Sequence, residues 1–484
     1  MAFLETLIGT LNNFLWSYVI IALLIFMGLF FSFRTKFVQL RLFKQMFLLL
    51  GESAISSVTD KLDNEPEKKK ISPFQAFCIS TASRVGTGNL AGVAMAIALG
   101  GPGAVFWMWL IAIIGGASSF VESTLAQIYK IHDNDGYRGG PAYYMEYALG
   151  KRWMGILFSV LITICFGLVF NSVQANTITL AVNEAFGINV LYTGLFLTGL
   201  TAFIIFGGVK RVAQAAEVIV PVMATAYVIL ALFVVVKNAA MIPSIFSLIF
   251  ENAFGLNQAF GGGVGAAMMM GIKRGLFSNE AGMGSAPNAA ATAETSHPVK
   301  QGLIQTLGVF TDTLLVCSCT AFIILVSGAY TNPDLSGIQL TQIAVSSQVG
   351  AWGNTFIAVC IFLFAFSSVI GNYYYGETNI EFMNSNKKWV FVYRLLVTGM
   401  VLFGSLAKVQ IVWDMADLFM GLMAITNLAA IFLLGKIAFD ALKDYELQKK
   451  AGKDPIFTVN SIELKNPETV QCWGEYKGKK EHIS

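Results

Sequence analysis

Ser83-Arg84-Val85-Gly86-Thr87-Gly88-Asn89-Leu90-Ala91-Gly92-Val93 lies in the middle of an apolar run that extends from 74 to 100. A helix of about 20 apolar residues crosses the ~30 Å of a bilayer's hydrocarbon core. The two glycines around Thr87, followed by Asn89, interrupt such a helix near half depth. A second apolar run, 260–290, carries Gly271-Ile272-Lys273-Arg274-Gly275 in the same way. Glycine weakens a helix interior and lets a ligand or a second backbone come close, so these two interrupted runs decide how the rest of the chain is read.

The composition around them is that of a membrane protein. Of 484 residues, 55% are apolar and 13% charged, against about 25% charged in soluble domains. The apolar residues come in long blocks. This excludes a soluble multidomain enzyme, and an outer-membrane barrel too, whose strands would alternate apolar and polar residues. Cys78, Cys165, Cys317, Cys319, Cys360 and Cys472 lie singly or inside apolar stretches, and His132, His297 and His482 are far apart. No disulfide framework or transition-metal site is expected from such spacing. A membrane enzyme would need a nucleophile, a paired acid and base, or a metal cluster, and the sequence offers none. No nucleic-acid partner is expected.

Apolar blocks separated by polar or Gly/Pro punctuation predict eleven spans, at 14–33, 74–100, 102–130, 153–182, 189–208, 212–236, 260–290, 300–328, 352–380, 389–407 and 411–437. The first is too long for a signal peptide and lacks a small-residue cleavage site, so it reads as a retained anchor. The stretches 241–258, with Pro243, Glu251 and Asn252, and 329–351 are expected to lie along the interface. With the N-terminus outside, 26 of the 32 Lys and Arg fall in cytoplasmic segments and two, Lys237 and Lys408, outside. That asymmetry predicts a cytoplasmic C-terminus.

Setting the first span aside leaves ten, five in 74–236 and five in 260–437. Residues 1–73 then hold an extra span and a basic cytoplasmic segment, and 438–484 a cytoplasmic tail. An odd-numbered repeat must insert upside down relative to its copy. The first span of each half is the one broken by glycines, and paired broken segments point to the binding site of a secondary transporter. A channel would more usually build its filter from rings or repeated loops.

The stretch 83–93, followed by Ala98-Leu99-Gly100-Gly101-Pro102-Gly103-Ala104, resembles the signature of the alanine or glycine:cation symporter family. So does Arg274-Gly275-Leu276-Phe277-Ser278-Asn279-Glu280-Ala281-Gly282-Met283-Gly284-Ser285-Ala286-Pro287. The resemblance covers about 70–437. It implies an all-α fold of the leucine-transporter type, a 5+5 inverted repeat with one extra N-terminal helix. It also implies sodium (Na+) as coupling ion and import of a small neutral amino acid, alanine or glycine first, across the cell membrane. Glutamine remains an alternative, as does proton coupling through Asp312.

A helix broken at mid-membrane offers free N–H groups, and a dipole that favours an anion, at the start of its second half. Thr87, Gly88 and Asn89 are therefore the candidate site for an amino-acid carboxylate. Met268, Met269 and Met270, then Gly271, are expected to form an adaptable apolar wall opposite. By resemblance, Gln174 in the fourth span and Asn372 in the ninth look like substrate contacts; Asn176 lies near Gln174. By resemblance also, Ser367 and Ser368 match the paired hydroxyls of a sodium site, completed by the carbonyls of Phe364, Ala82 and Val85. Arg84, Lys273 and Arg274 lie at depths where charge is costly and need partners; Glu122, Glu280 and Asp312 are the acids named for them. Membrane lipid completes the expected partners.

Overall fold

The computed structural model describes residues 2–62, 71–133, 136–207, 209–255 and 263–474. Lys68–Lys70 of the basic segment, positions 260–262 of the expected seventh span and 475–484 of the tail lie outside them. The chain opens with α1 (Thr6–Arg34), α2 (Phe43–Leu62), α3 (Pro73–Arg84), α4 (Gly88–Gly100) and α5 (Ala104–Ile128). A small antiparallel hairpin, β1 (Ile131–Asp133) and β2 (Gly136–Arg138), follows. Next come α6 (Arg152–Phe186), α7 (Val190–Ile205), α8 (Val209–Lys237) and α9 (Ile242–Ala253). The second half holds α10 (Val264–Asn279), α11 (Ala286–Ala290), α12 (Pro298–Ser327), α13 (Gly337–Val349), α14 (Trp352–Met383), α15 (Lys387–Leu406) and α16 (Val409–Lys450).

Seven of these, α1, α5, α6, α12, α14, α15 and α16, are long and apolar enough to cross a membrane. They coincide with seven of the expected spans. The other four expected blocks hold shorter, bent or broken helices: α3 with α4, α7, α8, and α10 with α11. Beyond Lys237 the helix turns by 77°, so α9 does not continue α8, in keeping with Pro243 at its start. α13 has 13 residues, too few to span.

Local chemistry accounts for the first break. Ser72 and Gln75 close a capping box with Pro73 at the first helical position, which fixes where α3 begins. Val85 leaves the helix in an extended conformation, φ −79° and ψ 95°, and α4 restarts at Gly88.

The second break is not where Gly271 and Gly275 predicted it. α10 runs unbroken through both and ends at Asn279. The chain unwinds over 280–285, where Glu280, Gly282 and Gly284 take φ of 59°, 85° and 83°. Gly271 and Gly275 are packing glycines. A Cβ on Gly271 would meet the Ala104 carbonyl and Trp107 Cβ at 2.7 Å, and one on Gly275 would meet Ile111 Cγ2 at 2.8 Å. They let α10 lie close along α5, as small residues do between membrane helices.

α5 packs along α10 and α12, α14 packs against α6 and α3, and α1 covers α5 and α16. The two broken helices are thus enclosed by intact ones. Beyond the breaks their far ends are tied together: Ile71 bridges to Ala293, with Glu294 N donating to Ile71 O at 2.9 Å. The tail straps this loop and the helix ends beside it. Phe457 N donates to Ser296 O at 2.9 Å, Lys300 pairs with Asp454 at 2.6 Å, and Trp473 Nε1 donates to Gln127 O at 2.8 Å.

Candidate functional site

The first break faces α14 through oxygen atoms. Ser368 Oγ lies 3.0 Å from Ala82 O, 3.4 Å from Val85 O and 3.1 Å from Phe364 O. Ser367 Oγ lies 2.8 Å from Phe364 O and 3.4 Å from Ala82 O. All five expected ion ligands therefore meet. Each hydroxyl bonds within its own helix, as serines in membrane helices commonly do, and also reaches across to α3. Gly86 makes this approach possible: a Cβ there would run into Ser368 Oγ, with Gln174 Oε1 at 3.0 Å.

On the other side of the break, Gln174 Oε1 accepts from Thr87 N at 3.0 Å and from Thr87 Oγ1 at 2.6 Å. Asn89 Oδ1 accepts from Gly86 N at 2.9 Å. The unwound backbone thus presents donors, and side-chain amide oxygens take them. Asn89 Nδ2 in turn donates to Asp312 Oδ1 at 2.7 Å, and Asp312 Oδ2 accepts from Ser278 Oγ at 2.8 Å and Thr313 Oγ1 at 2.9 Å. Asn372 Oδ1 accepts from Ser83 Oγ at 2.8 Å, while its Nδ2 is buried without a hydrogen-bond partner. Thr87, Gly88, Asn89, Gln174 and Asn372 accordingly cluster around one break. Asn176 does not join them; it donates to Gly404 O and Ala407 O.

Met270 and Gly271 are not part of this cluster. Met270 packs where a Cβ on Gly100 would touch it, at 2.9 Å. Nine residues of helix, roughly 14 Å, separate it from Glu280. The residues facing Gly88 are Phe277 and Ser278, each 3.1 Å from a Cβ placed there. Phe277 is held between Phe170 and Trp413, with ring centroids at 4.6 and 4.8 Å. The methionine triplet stands apart from the cluster, and an apolar stretch next to a glycine reads alike in a binding wall and in a helix contact.

The second break is held by acids. Glu122 of α5 accepts from Gly282 N and Gly284 N, both at 3.1 Å, and from Asn427 Nδ2 at 2.7 Å. Its two oxygens satisfy N–H groups that unwinding releases. Glu280 accepts from Ser285 Oγ at 2.6 Å and from Ser83 Oγ at 2.9 Å. Since Ser83 also reaches Asn372, it couples the two breaks to α14.

Neither Lys273 nor Arg274 is neutralised by the three acids named from the sequence. Arg274 Nη2 donates to both Asp417 oxygens of α16, at 2.7 and 2.5 Å, and its guanidinium lies over the Trp413 ring at 4.5 Å; Lys273 reaches the same carboxylate at 3.3 Å. Arg84 donates to Gln305 O at 3.3 Å and stands within coulombic reach of Glu122, Glu280 and Asp312. Asp417 was findable by the same rule that picked out the others, as an acid inside an apolar block. Ser83, Ser278 and Asn427 carry no such signal.

Over residues 1–459 the chain matches the sodium:alanine symporter family. It belongs to that family. The probable sodium/glutamine symporter GlnT of Bacillus subtilis is 61% identical over 470 residues, 97% of this chain and 96% of that protein. The amino-acid carrier protein AlsT of the same organism is 55% identical, covering 97% of this chain and 98% of its own. The sodium/alanine symporter AgcS of Methanococcus maripaludis is 36% identical over 93% of this chain and 99% of its own. In fold, the chain is similar to MhsT, solved in complex with L-phenylalanine. The TM-score is 0.55 at 16% identity, over 78% of this chain and 96% of that one. The protein is thus a helical, multi-pass membrane transporter and not an enzyme, and its fold is that seen in MhsT.

Proposed function

We propose that this symporter imports a small neutral amino acid, alanine or glycine in type, with sodium, by alternating access around its two broken helices. The observation that carries this is the meeting of Ala82 O, Val85 O, Phe364 O, Ser367 Oγ and Ser368 Oγ across the first break. Sodium is a hard cation that prefers oxygen ligands, and unwound backbone with nearby hydroxyls supplies them inside a membrane. Ion binding would hold α3 against α14. That would fix Thr87, Gly88 and Asn89 for the amino-acid carboxylate, which is positive linkage between the two ligands. Gln174 Oε1, which accepts both Thr87 donors, marks where a carboxylate oxygen would stand, and Asn372 would serve the ammonium end.

Two five-helix repeats, 74–236 and 260–437, with α1 outside them, eleven spans in all and a cytoplasmic C-terminus, complete this reading. The bridge from Ile71 to Ala293 then lies on the cytoplasmic side and supports a state closed to the cytoplasm. Glutamine is the second reading, favoured by the name of the relative at 61% identity. Uptake of labelled alanine into proteoliposomes, with each of the twenty amino acids as competitor and with sodium or proton gradients imposed separately, tests both. Strongest competition by alanine and glycine, driven by sodium, is expected. Preferential competition by glutamine transfers the substrate, and uptake following a proton gradient at equal sodium overturns the coupling.

A further inference from the structure

An apolar groove of about 410 Å³ opens on the membrane face between α6, the end of α14 and α15. Val160, Ile164 and Leu168 line it from α6, Met383 from α14, and Trp389 and Leu396 from α15. It belongs to none of the machinery around the breaks. Val160, Trp389 and Leu396 are exposed, so in a bilayer the groove meets acyl chains.

Two helix N-termini end near its mouth. Arg152, at the start of α6, lies over the Phe382 ring at 5.4 Å, which brings that end of α6 beside the end of α14. Lys387 and Lys388 begin α15 directly before Trp389, with Asn386 Oδ1 capping Lys388 N at 3.0 Å. The acids nearby are already engaged: Glu146 pairs with Arg152 and Glu381 with Arg138, both at 2.6 Å. Lys151, Lys387 and Lys388 have no carboxylate partner among the described residues. Helix N-termini favour anions, basic pockets at the ends of membrane helices bind anionic lipid headgroups, and Trp389 sits at the depth where aromatic residues mark the interface.

We propose that this groove is a binding site for an anionic phospholipid. One acyl chain lies between α6 and α15, and the phosphate rests on Lys387, Lys388 and Lys151. The charge surplus is what commits the site to an anionic lipid rather than a zwitterionic one. The assignment requires only that these helices cross the bilayer, and it stands whichever membrane face the loop occupies.

Native mass spectrometry of the full chain tests this, with phosphatidylglycerol and phosphatidylcholine as the probes. The wild type should retain phosphatidylglycerol over phosphatidylcholine by roughly tenfold, on the scale expected for a few lysines near the surface. Lys151→Gln/Lys387→Gln/Lys388→Gln should erase that preference. Leu396→Trp, which fills the groove and keeps the lysines, should weaken retention of phosphatidylglycerol. These positions are exposed or lipid-facing, so the variants should fold, and sodium-driven uptake in each is checked as the control. Equal retention of the two lipids by the wild type, or an undiminished preference in the triple variant, overturns the proposal. Displacement of phosphatidylglycerol by inorganic phosphate, or unchanged retention in Leu396→Trp, would show that the groove holds no chain, and would overturn it as well.

Discussion

The two breaks solve one problem with different chemistry. At Val85-Gly86-Thr87 no residue has positive φ; the glycines there provide room, letting Ser368, Gln174 and Phe277 come up against the backbone. At 280–285 the glycines provide conformation, with Gly282 and Gly284 at φ of 85° and 83°, and Glu122 holds the result from α5. The first break is open toward side-chain amides and hydroxyls. The second is clamped by a carboxylate. This contrast underlies the proposal that ligand contact falls chiefly to the first break and shape to the second.

Gly88→Leu should have the largest effect. Phe277 and Ser278 already stand 3.1 Å from a Cβ at that position, and overpacking a tight contact costs up to about 3 kcal/mol, roughly a hundredfold. Uptake should be lost while the protein still inserts and purifies; near-normal uptake would show that the first break does not hold substrate. Glu122→Gln comes next. An amide in place of the carboxylate offers one acceptor where Gly282 N, Gly284 N and Asn427 Nδ2 now find two. Leaving a buried donor unsatisfied costs about 1–3 kcal/mol, so initial uptake rates should fall by roughly 5- to 100-fold. An unchanged rate would mean that the second loop keeps its shape without the clamp.

Gly271→Ala separates packing from ligand contact. It should lower thermal stability, by about 1–3 kcal/mol for a crowded helix contact, and leave the competition profile among amino acids unaltered. A changed profile would return α10's glycines to the binding site.

The smallest effect concerns the tail that straps the loop after the second break. Burial holds the His297 imidazole down from 6.5 to about 4, against the pull of the Asp444 carboxylate, 3.1 Å from its Nε2. Lys300 adds to the lowering, Asp454 opposes it, and the Tyr445 and Phe457 rings pack on the imidazole. A histidine kept neutral when docked takes up its proton first when undocked, so acid favours release. Docking should be intact above about 6.5 and weaken progressively as pH falls toward about 4. Hydrogen exchange of 455–474 across that range measures it, and exchange independent of pH would remove His297 from the latch.

Much of the fold was legible because membrane helices announce themselves by apolar length, and the seven helices long and apolar enough to cross fell where expected. The first break was legible because Gly86, Thr87 and Gly88 are polar or small at a depth that otherwise demands apolar bulk. The second was displaced by about ten residues because glycine has two uses in a membrane helix. Gly271 and Gly275 serve close packing, Gly282 and Gly284 serve positive φ, and the letters do not distinguish them. Asp417 was visible as an acid in an apolar block, but its pairing with Lys273 and Arg274 was illegible for another reason. Asp417 is 143 residues from Arg274, and only the packing of α16 against the broken helix makes them neighbours. Glu122 was visible as a costly buried acid, but its use as a backbone acceptor depends on an unwound loop that no local pattern revealed.

Sodium coupling turns on the oxygen cluster between the first break and α14, and uptake by the Ser367→Ala/Ser368→Ala variant in proteoliposomes tests it most directly. The measurement is the sodium concentration giving half-maximal amino-acid uptake, beside that of the wild type. Losing two oxygen ligands should raise it at least ~10-fold, on the scale of one or two lost hydrogen-bond-strength contacts, with substrate affinity partly recovered at saturating sodium. Uptake by the double variant with the wild-type sodium dependence would contradict the account and place the ion elsewhere.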